Sequence, residues 1–167
     1  MVKSFLLLFC FTLVFTAALN AQFLRPKAHS VLSPNVIFLE VMGNGGKLSL
    51  NYEQMFLQTD HIGATGRFGI AAFPEGEGVI DYGIPATLSF LAGADHIYGE
   101  IGGGTRIAFD NNWLEDGFEI VPTGILGLRY HPDKNGGIFF KLAYTPAYQA
   151  ETIRHSVGFA IGIGLDR

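Results

Sequence analysis

The chain has 167 residues, of which 49% are hydrophobic and only 16% charged, and 22 of them are glycine. Lys and Arg number 11 against 15 Asp and Glu, and the absence of a basic cluster excludes the electrostatic footprint of a nucleic-acid-binding protein. The single cysteine, Cys10, excludes an intramolecular disulfide, and so few charged residues are unusual for a soluble domain.

The first 21 residues have the pattern of a secretory signal peptide. Lys3 supplies a positive charge, the apolar run Phe5–Ala18 follows, and Ala21 precedes a suitable cleavage point. An uncleaved anchor helix is the less favoured interpretation, because a transmembrane helix needs roughly 20 apolar residues. We therefore expect export and a mature domain of about 146 residues, without cysteine.

Beyond a lead-in at residues 22–34, which we expect to be periplasmic, the sequence alternates between apolar and small or polar residues in eight segments. A period of two indicates β-strands with two unlike faces. The glycine-rich turn at Gly43–Gly46 is a strong hairpin signal, because tight hairpin turns require positive φ angles. The predicted strands cover residues 35–43, 47–57, 61–73, 82–93, 96–108, 119–130, 137–148 and 154–167.

The lengths of these segments and of their connections indicate a particular all-β fold. Each strand has 9 to 14 residues, which suits a tilted strand that crosses a bilayer. The connections alternate between short and mostly longer, as the periplasmic turns and extracellular loops of outer-membrane barrels do. The sequence therefore predicts an eight-stranded antiparallel transmembrane β-barrel over residues 35–167.

Alternation alone does not say which face of the barrel points inward. A soluble periplasmic carrier of the lipocalin type would enclose a ligand with its apolar face, whereas a membrane barrel turns that face toward lipid. The polar set here is mostly Gly, Ala, Ser and Thr, which would make a poor soluble surface. Aromatic residues such as Tyr82, Tyr130 and Tyr148 also lie near strand ends, as in interfacial girdles, so the membrane orientation is favoured.

With the polar face inward, the lumen receives ionisable side chains from most strands. A barrel of eight strands is only wide enough for its own side chains, so we expect paired charges and no open pore. In particular, Glu53 should lie near Arg67 on the next strand. The predicted lumen network comprises Glu40, Lys47, Glu53, Arg67, Glu100, Arg106, Arg129, Lys141 and Asp166.

Several segments carry a family resemblance: Leu39–Gly46, Ser49–Glu53, Gly127–Tyr130, Gly136–Lys141 and Tyr144–Pro146. With them the chain resembles small eight-stranded outer-membrane barrels of the OmpA-like and Bacteroidota type. The resemblance implies an outer-membrane location in a Gram-negative cell envelope, with membrane lipids and the insertion machinery as partners. The chain departs from this family at Leu165-Asp166-Arg167, where such barrels usually end in an aromatic residue that the insertion machinery recognises.

Some barrels of this architecture are lipid A-modifying enzymes, so we also considered a hydrolase site. Glu151, His155 and Ser156 are candidates for the acid, base and nucleophile. In the deacylases one residue separates His from Ser, which places both on one face of a strand. Here they are adjacent and would point to opposite faces, so catalysis is not expected and the hydrolase stays an alternative.

Three short turns each place a histidine beside an acid: Asp60-His61, Asp95-His96, and His131 with Asp133. Because aspartate is also a common turn residue, we predict neither a metal site nor a cofactor. The longer loops are acidic, and Trp113 lies in one of them, but the pattern identifies no extracellular partner. The sequence therefore predicts a non-enzymatic outer-membrane barrel with a structural or surface-interaction role.

Overall fold

The computed structural model describes residues 32–59, 61–75, 79–109, 118–133 and 135–165. The predicted signal peptide, most of the lead-in, and Asp166 and Trp113 lie outside the described residues. No helix in the described ranges is long and apolar enough to cross a membrane. The described chain consists of strands and their connections.

Ten β-segments form one closed antiparallel sheet, in which consecutive segments pair from the first to the seventh, the eighth pairs with the sixth and the ninth, and the tenth pairs with the seventh. The sheet closes because the first segment pairs with the last, and Glu40 and Ala160 are among the Cα partners at this seam. The segments are β1 Asn35–Gly43, β2 Gly46–Gln58, β3 Ile62–Glu75, β4 Val79–Ala94, β5 Ile97–Phe109, β6 Phe118–Tyr130, β7 Gly137–Tyr144, β8 Ala147–Gln149, β9 Thr152–Arg154 and β10 Val157–Leu165.

The seventh and eighth strands of the barrel are each divided in two, which differs from the continuous strands predicted at 137–148 and 154–167. Thr145-Pro146 separates β7 from β8, and His155-Ser156 separates β9 from β10. Proline has no N–H to donate to a ladder, and here only the Pro146 carbonyl pairs, accepting from Gly124 N at 2.8 Å. With these interruptions included, the predicted eight-stranded antiparallel barrel is confirmed.

The two faces of the barrel differ in the way that the alternation indicates. Large apolar side chains such as Ile70, Leu88 and Ile101 lie exposed on the outside. Phe38, Glu40 and Arg129 are buried in the lumen. This arrangement is the reverse of a soluble carrier, whose apolar side chains line the interior. It is the arrangement of a barrel that faces lipid.

Candidate functional site: a filled lumen

Six buried ionisable side chains form a continuous chain of alternating charge across the middle of the lumen. Neighbours in this chain make ion pairs of 4.0 Å or less. Six of the barrel strands contribute one side chain each, and Arg67 and Glu53, the two ends of the chain, lie on adjacent strands. We call this set the lumen ion chain; in order it comprises Arg67, Glu40, Lys141, Glu100, Arg129 and Glu53.

Arg129 is the most heavily bonded member of the lumen ion chain. Its Nη2 donates to Glu100 Oε2 at 2.7 Å and to Glu53 Oε2 at 3.0 Å, and its Nε also donates to Glu100. The guanidinium lies over the ring of Phe139, 5.3 Å from the centroid. A planar guanidinium suits this site because it can serve two carboxylates at once.

The other half of the chain is centred on Glu40. Arg67 Nη1 donates to Glu40 Oε1 at 3.0 Å, and Lys141 Nζ lies 3.3 Å from the same oxygen. Both cations also lie over the ring of Phe38. Three acids and three bases thus neutralise one another, which buried charges require because an unpaired charge inside a barrel is costly to desolvate.

The predicted proximity of Glu53 and Arg67 holds at the backbone, because the two residues are Cα partners between β2 and β3. Their side chains nevertheless take other partners. The Glu53 carboxylate crosses the lumen to Arg129 on β6, and the Arg67 guanidinium bonds Glu40 on β1 and Thr87 on β4. Long side chains reach these partners because the closed barrel is narrow.

At the barrel end that carries the β1–β2 turn, which we call the outer end, the turn itself enters the lumen. Asn44 is buried, and its Nδ2 donates to Thr123 Oγ1 on β6 at 3.0 Å. A Cβ on Gly43 or Gly45 would overlap the side chain of Glu40 or Ser49, so the turn can pack this closely only with glycine. Asn44 therefore caps the lumen, a role that sequence reasoning missed.

Two predicted members of the network lie apart from the lumen ion chain. Arg106 donates to Gln149 Oε1 at 3.4 Å near the outer end, and Gln149 also donates to Glu119 at 2.7 Å. Lys47 has the inward parity of β2, but its side chain is exposed. It directly follows the β1–β2 turn, where the strand begins and water has access, and its place in the lumen network stays a prediction.

At the opposite, inner end, residues 32–34 cross the barrel mouth, and we call this segment the strap. Leu32 packs among the buried side chains of Met55, Leu91 and Tyr98. The backbone of the strap is bonded on both sides, since Ser33 N donates to Pro132 O at 2.9 Å and Met55 N donates to Pro34 O at 2.7 Å. The strap is therefore bonded to two parts of the barrel and covers a buried apolar cluster at this end.

The strap also contacts His131, which follows β6 and is 1% exposed. Its Nε2 donates to Ser33 O at 2.8 Å, and Phe139 packs edge-on against the ring. Burial, together with the nearby positive charge of Arg129, lowers the pKa of His131 to about 4. Sequence reasoning placed His131 only in a turn, although its spacing of two from inward-facing Arg129 was a signal for burial.

The candidate catalytic residues do not form a triad. The Tyr144 hydroxyl is hydrogen-bonded to His155 Nδ1, and the two rings stack. Ser156 Oγ donates to Thr145 O at 2.8 Å and also meets Thr145 Oγ1. Glu151 is exposed in the β8–β9 turn. The described contacts therefore bond His155 and Ser156 to other residues and show no nucleophile–base pair.

The histidine-containing turns meet at the inner end more closely than their sequence separation indicates. His96 Nε2 lies 3.6 Å from Asp133 Oδ1, and His131 N donates to His96 O at 2.8 Å. Within the described ranges, no three His, Cys, Asp or Glu side chains group closely enough to hold a metal ion. The geometry links the β4–β5 turn to the β6–β7 turn.

Closed strands, an apolar exterior and a polar lumen define the class: a small barrel with the fold of outer-membrane proteins. No family model and no curated protein matches the chain. A similar solved structure is the N-terminal β-barrel domain of Pseudomonas aeruginosa OprF, with a TM-score of 0.53 and 13% identity over 79% of this chain and 98% of that domain. Ail, the attachment invasion locus protein of Yersinia pestis, in complex with the heparin analogue sucrose octasulfate, has a TM-score of 0.41 and 14% identity over 78% of this chain and 93% of Ail.

Proposed function

We propose that this protein is an integral outer-membrane barrel with a structural or surface-interaction role, and that it is not a diffusion pore. The observation that carries the proposal is the lumen ion chain, whose six buried side chains neutralise one another across the barrel. Asn44 closes the lumen at one end and the strap closes it at the other. A permeant ion would have to break these pairs to pass, at a high desolvation cost.

The outer-membrane location is supported by the apolar exterior and by the expected export signal. Exposed apolar side chains occur on every long strand, and so large an exposed apolar surface is typical of a face that contacts a membrane or a partner. With the inner end facing the periplasm, the β8–β9 hairpin faces the cell exterior. Tyr148 and Ile153 are exposed on it and provide apolar surface to the membrane interface or to a partner.

Conductance in planar lipid bilayers tests whether the lumen is closed. The purified full chain, inserted into bilayers, should leave the baseline current unchanged across a range of voltages. As a control for insertion, the same preparation should show the heat-dependent gel mobility of a folded barrel. Reproducible openings of uniform conductance would contradict the proposal, because they require a water-filled path through the lumen.

Cysteine labelling on intact cells tests the orientation and the location, and Cys10 is the single native cysteine. Glu151→Cys in the β8–β9 turn should react with a membrane-impermeant maleimide on intact cells. Asp133→Cys, which is also exposed but at the inner end, should react only after the outer membrane is permeabilised. Labelling of Asp133→Cys alone on intact cells would mean the opposite orientation, and release of the protein by osmotic shock would exclude membrane integration.

A further inference from the structure

One of the contacts that attach the strap to the barrel is a hydrogen bond from a histidine side chain. The Ser33 carbonyl accepts from His131 Nε2 at 2.8 Å, and the Ser33 amide donates to the neighbouring Pro132 carbonyl at 2.9 Å. Ser33 Oγ adds bonds to the carbonyls of Asn35 and Leu165. His131 and the residue after it thus hold both backbone polar groups of Ser33.

The surroundings of His131 suit a neutral ring and oppose a charged one. Its Nδ1 is buried and has no hydrogen-bond partner, so a second ring proton would have no acceptor. Arg129 of β6 is the positive charge that faces the ring. The facing acids are Glu53 of β2 and Glu100 of β5, and both are already bonded to Arg129.

The other described contacts of His131 are with an aromatic ring and backbone carbonyls, and none of them brings a carboxylate to its ring. Phe139 of β7 covers the ring edge-on. The β4–β5 turn contributes the carbonyl of His96, which accepts from His131 N, while the His96 ring itself lies toward Asp133. A proton on His131 therefore adds charge to a closed site that can lower the cost only by admitting water.

We propose that His131 is an acid-sensitive latch whose protonation releases the strap from the inner end of the barrel. In the neutral state the ring donates to the strap and stays buried. In the protonated state the ring is hydrated only if the strap moves away, since the strap covers it. Release would remove Leu32 from its apolar site among the side chains of Met55, Leu91 and Tyr98. The inner end would then open, while the lumen ion chain would stay in place.

The direction of the pH dependence follows from proton linkage. A histidine that has an ordinary pKa when the strap is released, and a lowered one when it is bound, takes up a proton on release. Acid therefore favours release, and the bound state is lost as the pH falls from about 6.5 toward about 4. This inference does not depend on the proposed function, because it concerns the inner end and not permeation.

Hydrogen–deuterium exchange of the full chain in detergent tests the latch. Two amides report on it, Ser33 and Met55, because both are bonded through the strap. After correction for the intrinsic pH dependence of exchange, their protection should fall about 10-fold or more between pH 7 and pH 4.5. Amides in the β1–β10 ladder should keep their protection over the same range.

His131→Gln is the matched control, because its side-chain amide can still donate to Ser33 O but does not titrate. In this variant the amides of Ser33 and Met55 should be equally protected at both pH values. Since the variant keeps Glu53, Glu100 and His96, any acid effect on those groups would appear in it too. Unchanged protection in the natural chain, or an equal loss in His131→Gln, would overturn the proposal.

If His131→Gln does not fold, the pH dependence of exchange in the natural chain alone still tests the latch. Its strap protection must then follow the titration of a single proton between pH 6.5 and about 4. A loss that begins only below pH 4, or that spreads at once to the barrel ladder, would mean general acid unfolding and would overturn the latch.

Discussion

At the scale of single residues, Arg129 is the side chain on which the interior depends most. It is fully enclosed and bonds two carboxylates from different strands, Glu53 on β2 and Glu100 on β5. Replacing a whole buried ion group with apolar residues is often neutral, but removing one partner leaves the others charged and unpaired. The stability of the lumen therefore depends on the group as a whole.

Arg129→Met should lower the free energy of unfolding by about 3–5 kcal/mol, because it leaves Glu53 and Glu100 buried beside each other without their shared cation. Urea unfolding of the protein in lipid vesicles measures this change. The double variant Arg129→Met, Glu53→Gln should recover much of the loss, since it removes one charge of each sign and leaves Glu100 beside Lys141. If Arg129→Met is as stable as the natural chain, the charges of Glu53 and Glu100 must be balanced by groups other than Arg129.

At the scale of elements, the seam between β1 and β10 decides whether the barrel closes. The inward positions of β10 are small, and Phe38 of β1 lies directly against one of them. A Cβ on Gly162 would stand 2.2 Å from Ile37 O and 2.4 Å from Phe38 Cβ. Neither neighbour can move without disturbing the ladder, so closure at this level requires glycine.

Gly162→Ala should therefore lower the free energy of unfolding by about 1–3 kcal/mol through overpacking at the seam. Gly66→Ala is the matched control, because its nearest neighbour is a Leu88 methyl at 3.5 Å. The control should change stability by less than about 1 kcal/mol. The temperature at which the folded gel band disappears gives a second measurement, and equal effects of the two variants would contradict the steric argument.

At the scale of the whole molecule, the exterior is the surface that fits the protein to a bilayer. We call the exposed apolar side chains around the barrel exterior the apolar belt. Leu126 lies within this belt, with Ile101 and Tyr144 as its cross-strand partners. Ile153 is similarly exposed but lies on the β8–β9 hairpin near the outer end. The cost of a charge on a lipid-facing position depends on its depth in the membrane.

Leu126→Arg should cost about 2–4 kcal/mol of unfolding free energy in lipid vesicles, whereas Ile153→Arg should cost about 0–1 kcal/mol. Urea titration of both variants in the same vesicles measures the difference. The two positions are 59% and 54% exposed, so depth is the variable that separates them. Equal costs would mean that the belt is not embedded as proposed.

The orientation of most side chains is predictable from the sequence because it is a local property of each strand. Alternation along the strand is enough to predict that Phe139 and Lys141 point to one face and Phe140 and Leu142 to the other. In the structure the first two side chains are buried and the second two are exposed. Lys47 shows the limit of that reasoning, because parity ceases to imply burial where a strand meets its turn. The interruptions at Thr145-Pro146 and His155-Ser156 are a second limit, since they depend on how two strands end together.

By itself the sequence determined the number of strands, their two faces and the class of barrel, because the period of two and the spacing of turns are written in consecutive residues. Only the tertiary structure decided which charges pair, since Glu53 meets Arg129 only when β2 and β6 are brought to opposite sides of a closed lumen. The same holds for the strap on His131 and for Asn44 on Thr123. These contacts join residues far apart in the chain, and no local pattern specifies a distance across the barrel.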